Sequence, residues 1–154
     1  SNSIIERSLR TTVEGTKAAL LGAGAPHSWC TIGAPYFCAT WNFSPGTDCS
    51  MSPWELRSNE EFSGKQPVFG ELVLYLPGKP ERSAAPKFAP NMRNGICLGW
   101  RFLPGSEWKG DSLVAPLSQF VKLPAESGFK PSIKRIKEIT LFDHPTFPWR
   151  DVVR

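Results

Sequence analysis

The sequence predicts an α+β fold, a helical stretch followed by a small β-barrel. Two observations carry this. Apolar residues over residues 2–21 recur at helical spacing, whereas from Val68 onward short runs of β-formers alternate with Gly- and Pro-containing turns. Thirteen Gly and fifteen Pro in 154 residues argue for short elements and frequent turns, and against a helical bundle.

The first helix is expected over residues 2–21. Ile5, Leu9, Val13 and Leu20 form its apolar stripe, widened by Ala19 and Leu21. Asn2 is a plausible N-cap, Gly22 to Gly24 ends the helix, and Glu6 and Arg10 stand at the favourable i, i+4 spacing. Pro26 suits the first turn of a second helix through Trp29 and Ile32, which Pro35 kinks or interrupts. Asn42 to Ser52 reads as a loop, and Pro53 to Leu56 as a short helix capped by Ser52. The polar residues 57–67 form the boundary between two units. Strands are expected at Phe69 to Leu76, Gly95 to Phe102, Ser112 to Ala115 and Gln119 to Lys122, with a loop from Pro77 to Pro90. Ile133, Ile136, Ile139 and Leu141 fit one more helix or strand, and Phe142 to Arg154 is read as extended. The domain organisation is thus 1–66 helical, 67–122 barrel and 123–154 a basic tail.

Charge is modest but uneven. Net charge is +4, and residues 69–121 and 122–154 carry +2 and +3 against −1 for residues 1–68. This balance permits nucleic-acid binding through the C-terminal half without demanding it. Cys30, Cys38, Cys49 and Cys97 form no C-x-x-C pair, so buried free thiols in a reduced, intracellular protein are expected rather than zinc at His27 and Cys30. No apolar run approaches the ~18 residues of a membrane span, so no membrane is expected as a partner.

Several motifs, in order, resemble copia-type LTR retrotransposon integrases. Asn2-Ser3-Ile4-Ile5-Glu6-Arg7, continuing to Arg10-Thr11, resembles the family's N-x-x-x-E-R segment and the N-R-T after it, with Ser8 and Leu9 departing from the pattern. Trp29 matches a helix tryptophan. Asn42-Phe43-Ser44-Pro45 resembles an N-R-x-P loop, with Phe43 in place of the arginine, and Ser52-Pro53-Trp54-Glu55-Leu56 resembles T-P-Y-E-x-W. Phe69-Gly70 with Leu72 to Tyr75, then Gly95-Ile96-Cys97-Leu98-Gly99-Trp100, is similar to F-G-x-x-A-Y followed by G-I-F-L-G-Y. Residues 123–154 match no named pattern.

The resemblance implies a piece of a Pol polyprotein: the helical end of an RNase H-like integrase core, then an SH3-like barrel. It implies DNA integration by metal-dependent strand transfer, in the nucleus, for the parent protein. In that chemistry Mg2+ or Mn2+ is held by three carboxylates. Glu6 would be the third, hence both catalytic and metal-ligating in an intact core. The other two belong on strands before this helix, whereas Asp48, Asp111, Asp143 and Asp151 all follow Glu6 in unmatched contexts. Residues 1–154 alone are therefore expected to be inactive and to need no cofactor. The bland reading of Glu6 is a surface pair with Arg10 worth about 0.3–0.5 kcal/mol.

The candidate nucleic-acid contacts are Arg7, Arg10 and Lys17 on the helix, Lys79, Lys87, Arg93, Arg101 and Lys109 around the barrel, and Lys134, Arg135 and Lys137 after it. Such side chains supply phosphate contacts, which carry no sequence information. Tyr75, Trp100, Phe102 and Trp108 interleave with them, although at least one of Trp100 and Phe102 is expected in the core. The expected partners are DNA of any sequence, and the rest of an integrase or a second copy. The alternative is a small β-barrel module that binds a protein partner and has no catalytic role.

Overall fold

The computed structural model describes residues 2–120 and 132–153. Its elements are α1 (Asn2–Ala23), α2 (Cys30–Phe43, entered through a 3-10 turn at His27–Trp29), α3 (Pro53–Ser58), β1 (Leu72–Tyr75), α4 (Lys79–Ala84), β2 (Arg93–Leu103), β3 (Glu107–Pro116), β4 (Lys134–Ile136), β5 (Ile139–Leu141) and α5 (Pro148–Val153). It is an α+β arrangement of helices and one antiparallel sheet.

Local chemistry accounts for the helix ends. At the end of α1, Gly24 takes a left-handed φ of 72°. Its N–H donates to the Leu21 carbonyl at 3.1 Å, and the Ala25 N–H donates to the Leu20 carbonyl at 2.8 Å. This paired closure satisfies carbonyls that a helix end leaves free, and glycine adopts the required conformation without a Cβ clash. At α3, the Ser52 hydroxyl accepts the Glu55 N–H at 3.2 Å and donates to the Glu55 carboxylate at 3.4 Å. Asn2, expected as a cap, instead lies within α1. Pro35 does not interrupt α2, which continues through it to Phe43. It forfeits one backbone hydrogen bond, and the packing of Ala39 and Phe43 beyond it holds the helix together.

The sheet order is β4-β3-β2-β1-β5, with all neighbours antiparallel. Its two edge strands are consecutive in the chain, separated only by Lys137 and Glu138. A flat sheet of this order would hold its edges roughly 19 Å apart, at about 4.8 Å per strand. The chain from Ile136 to Ile139 reaches at most about 11 Å. The sheet is therefore strongly curled. Every strand contributes to the concave face: Val73 and Tyr75 from β1, Cys97 from β2, Val114 from β3, Ile136 from β4 and Ile139 from β5 form one buried cluster.

The convex face is covered by the helices. Ile96, Leu98 and Ala115 share a second cluster with Leu20, Ala23, Trp29, Phe69 and Phe120, and Trp149 of α5 packs on it. A third cluster joins Ala39, Phe43 and Trp100, with Trp54, Phe62, Phe102 and Trp108 around them. The Phe43 and Phe62 rings stack at 3.8 Å and 11°. Residues 57–67, expected as a boundary, thus place Phe62 within an aromatic cluster shared by helices and sheet.

Several expectations are corrected here. Gln119, expected to begin the fourth strand, ends the 3-10 turn Leu117–Gln119; the end of that expected strand, Val121 and Lys122, lies outside the described residues. The expected loop at Pro77 to Pro90 contains α4, whose second residue, Pro80, is pre-organised for a first turn. Lys134–Ile136 and Ile139–Leu141, placed in the tail and read as one more helix or strand, are two strands, the edges of the sheet. Pro148–Val153 is helical rather than extended. Cys30, Cys38 and Cys49 are exposed, and only Cys97 is a buried thiol.

Gly70 locks the helical layer to the sheet. Its φ is +81°, and a Cβ there would stand 2.4 Å from the buried Ala23 methyl. Gly70→Ala therefore combines a left-handed strain of about 1–2 kcal/mol with overpacking of about 1–3 kcal/mol. Urea unfolding is expected to show a destabilisation of at least about 2 kcal/mol, where an exposed glycine with ordinary φ would tolerate alanine.

Candidate nucleic-acid interface

The geometry of α1 decides what its charged residues face. At ~100° per residue, Ile5, Leu9, Thr12, Val13, Thr16, Leu20 and Ala23 lie along one face. Thr16, Leu20 and Ala23 are buried against α2 and the sheet. Ile5, Leu9 and Val13, on the same face one to three turns earlier, remain 68, 64 and 44 % exposed. The outer half of α1, roughly 20 Å of helix, thus carries an apolar face that the rest of the described chain does not cover. Glu6 flanks this face. Glu6, Arg7, Arg10 and Lys17 are all exposed, and the expected Glu6–Arg10 pair is not formed. Among the described residues no three His, Cys, Asp or Glu side chains converge. Glu6 stands alone on a solvated helix, so these residues do not by themselves fit a two-metal centre.

The remaining basic candidates fall into separate groups rather than one surface. Glu81, on α4, bridges two of them: its carboxylate accepts from Arg93 at 3.4 Å and also from Lys134. Arg93 opens β2 and Lys134 opens β4, so a helix in the β1–β2 connection ties two strands together. Arg101 pairs with Asp111 at 3.7 Å. Lys79, Arg135 and Lys137 are exposed without an ion pair among the described residues, as is Lys109. Lys87 rests over the Phe88 ring at 5.9 Å, and Phe88 itself is 94 % exposed.

The four interleaved aromatics belong to the packing. Tyr75 and Trp100 are buried. The Trp100 indole N–H donates to the Lys65 carbonyl at 2.9 Å, and the Trp108 indole N–H donates to the Asp111 carbonyl at 2.9 Å. Phe102 and Trp108 pack on the Phe43 cluster. None presents an open ring for stacking.

Two side chains with open chemistry are not evident from the sequence. Trp41 is 59 % exposed on α2. It borders a cavity of about 460 Å³ between α1 and α2, together with Arg7 and Asn42. Arg57 lies over the Trp54 ring at 4.9 Å and donates to the Ser106 carbonyl at 3.1 Å, beside a second cavity of about 360 Å³. A solvent-facing tryptophan on an otherwise apolar helix leaves no periodic signal, which is why neither emerges from spacing.

Among the described residues, the groups with displaced ionisation lie within the packing. Burial pushes the Tyr36 hydroxyl and the Cys97 thiol up to about 12 each. Burial likewise raises Tyr75, whose next largest influence, Lys134, acts in the opposite direction. Cys97 is thereby held as an inert thiol. No helix among the described residues is long and apolar enough to cross a membrane. No family model, curated protein or solved structure matches this chain.

Glu71 gives a pH signature. It is buried, and its carboxylate accepts the Val68 N–H at 3.0 Å. Burial raises its pKa above the ordinary 4.5, and the hydrogen bond opposes this only in part. The folded protein therefore keeps this proton to higher pH than the unfolded chain does. The contribution of Glu71 to stability is greatest below the unfolded pKa and is lost as pH rises through the folded one. Glu71→Gln removes that loss. Urea unfolding between about pH 4 and pH 8 is expected to show a smaller decline in stability with rising pH for the variant than for the wild type.

Proposed function

We propose that this chain is the C-terminal piece of a copia-type retrotransposon integrase. In this reading residues 1–66 are the helical end of an RNase H-like core and the curled sheet is an SH3-like barrel. The observation that carries it is the half-covered face of α1. A helix whose apolar stripe continues past its own covering layer, with a carboxylate at the edge of that stripe, suits a core helix made to pack on a further sheet. The ordered motifs support the same reading. So does the short link at Lys137 and Glu138 between the edge strands β4 and β5, which goes with a strongly curled five-stranded sheet.

The chain's own role is sequence-independent nucleic-acid binding, and strand transfer belongs to the parent protein in the nucleus, where Glu6 would join two further carboxylates. Phosphate attraction falls to the exposed cations: Arg7, Arg10 and Lys17 on α1, and Lys79, Lys109, Arg135 and Lys137 around the sheet. Arg93 and Lys134 are already engaged by Glu81, which makes their contribution smaller than the sequence suggests.

The test is a salt titration of binding to two unrelated duplexes. Replacing Lys134, Arg135 and Lys137 together with Ala is expected to flatten the slope by about two units rather than three, at ~0.9 for each phosphate no longer neutralised. Glu81→Gln is expected to steepen it by up to about two units, because Arg93 and Lys134 are released. Both changes should be alike on both duplexes. Slopes that neither substitution moves would favour a barrel that binds a protein partner.

A further inference from the structure

We infer that the cleft between the outer half of α1 and the C-terminal half of α2 binds an unpaired nucleotide, with its base on Trp41 and its phosphate on Arg7. The inference rests on the nucleic-acid reading above and deepens it by naming the form of strand end that the chain recognises.

Trp41 is anomalously exposed for a tryptophan on a packed helix. On α2, Ala39 and Phe43 are buried at 4 and 9 % exposure, yet Trp41 between them leaves 59 % of its surface in water. Its ring leans on Phe37, centroid to centroid 5.9 Å at 49°. It is thus supported from one side and open on another. Exposing so large an apolar surface forgoes roughly 25 cal/mol for each Å² left unburied, so packing among the described residues does not explain it.

The surroundings set the ligand chemistry. The cavity beside Trp41 measures about 460 Å³, within the range of sites for small organic groups, and Arg7, Ser8, Thr12 and Asn42 line it. Arg7 has no carboxylate within ion-pairing distance among the described residues. Asn42 is exposed and offers both a donor and an acceptor. The Thr12 hydroxyl donates to the Ser8 carbonyl at 3.0 Å, which leaves its lone pairs available to an amino group. An aromatic platform, an unpaired guanidinium and an amide that reads a base edge are what an unstacked nucleotide requires. An apolar ligand would instead desolvate Arg7 and Asn42 without return. A base within a duplex is stacked on both faces and cannot cover Trp41. The occupant is therefore an unpaired nucleotide, which a single-stranded overhang supplies.

The experiment compares binding of the full chain to a blunt duplex and to the same duplex with a short single-stranded overhang. Trp41→Ala is expected to weaken overhang binding roughly five- to a hundredfold and to leave the blunt duplex unchanged. Trp41→Phe, which keeps a ring, should retain most of the overhang affinity. Because Trp41 is exposed, the alanine variant is expected to keep the wild-type circular dichroism spectrum. Equal losses on both duplexes, or none on the overhang while duplex binding persists, would overturn the site and leave the nucleic-acid reading standing. Failure to bind either DNA would overturn both. Competition by a free mononucleotide as strong as that by an overhang would reassign the cleft to a small molecule. Self-association that disappears in Trp41→Ala would reassign it to a second copy. Either reassignment would overturn the inference.

Discussion

Tyr36 is the contact on which the two layers depend. Its ring stacks on Trp100 at 5.4 Å and 6° and meets Phe69 at 5.3 Å, while its hydroxyl donates to the Pro67 carbonyl at 2.9 Å. One side chain of α2 thereby holds β2, the turn before β1 and the connecting segment together. Burial keeps the hydroxyl neutral, with its pKa pushed up to about 12, so the hydrogen bond survives across ordinary pH. With α2 fixed on β2 in this way, Ala23 meets Gly70 and Phe43 joins the aromatic cluster around Trp100. The outer half of α1 is then carried beyond the sheet, with its apolar face exposed, and Trp41 lies on a side of α2 that Ala39 and Phe43 do not bury. The same packing that orders the inner half of α1 and the sheet-facing side of α2 leaves the outer half of α1 and Trp41 exposed.

Much of the local structure is legible in the sequence because its causes are local. Ser52 caps α3 as its position before Pro53 indicates, and α1 runs nearly where the spacing of Ile5, Leu9 and Leu20 places it. The β2 strand follows from its run of apolar β-formers and extends slightly beyond the expected ends. What escapes depends on contacts distant in sequence. Ile133, Ile136 and Ile139 repeat every three residues, a spacing that leaves helix and strand both open. The cause is the break at Lys137 and Glu138, which lets Ile136 and Ile139 both face the concave core from opposite edges of the sheet. Pro35 argues for an interrupted helix, but tertiary packing beyond it prevails.

The candidate site is legible in composition more than in arrangement. Glu6, Arg7, Arg10 and Lys17 are exposed on α1 as a surface role requires. That Glu81 neutralises Arg93 and Lys134 is a pairing across distant segments, which charge counts along the chain cannot reveal. Tyr75 looks like an interface residue because it stands among basic residues, yet strand alternation turns it into the core, whereas the burial of Trp100 is the core placement expected for at least one of Trp100 and Phe102. Trp41 and Asn42 give no such signal, because an exposed tryptophan is visible only once its helix has a buried side.

Amide hydrogen exchange of the monomeric chain tests the central claim most directly, namely that the apolar face of α1 is completed only by a partner. The account predicts strong protection over residues 16–23 and 30–43, close to that of β2, and markedly faster exchange over residues 5–13, where the face is uncovered. Uniform strong protection along the whole of α1 in a proven monomer would contradict it, because the outer half would then be stable without the sheet that the account requires.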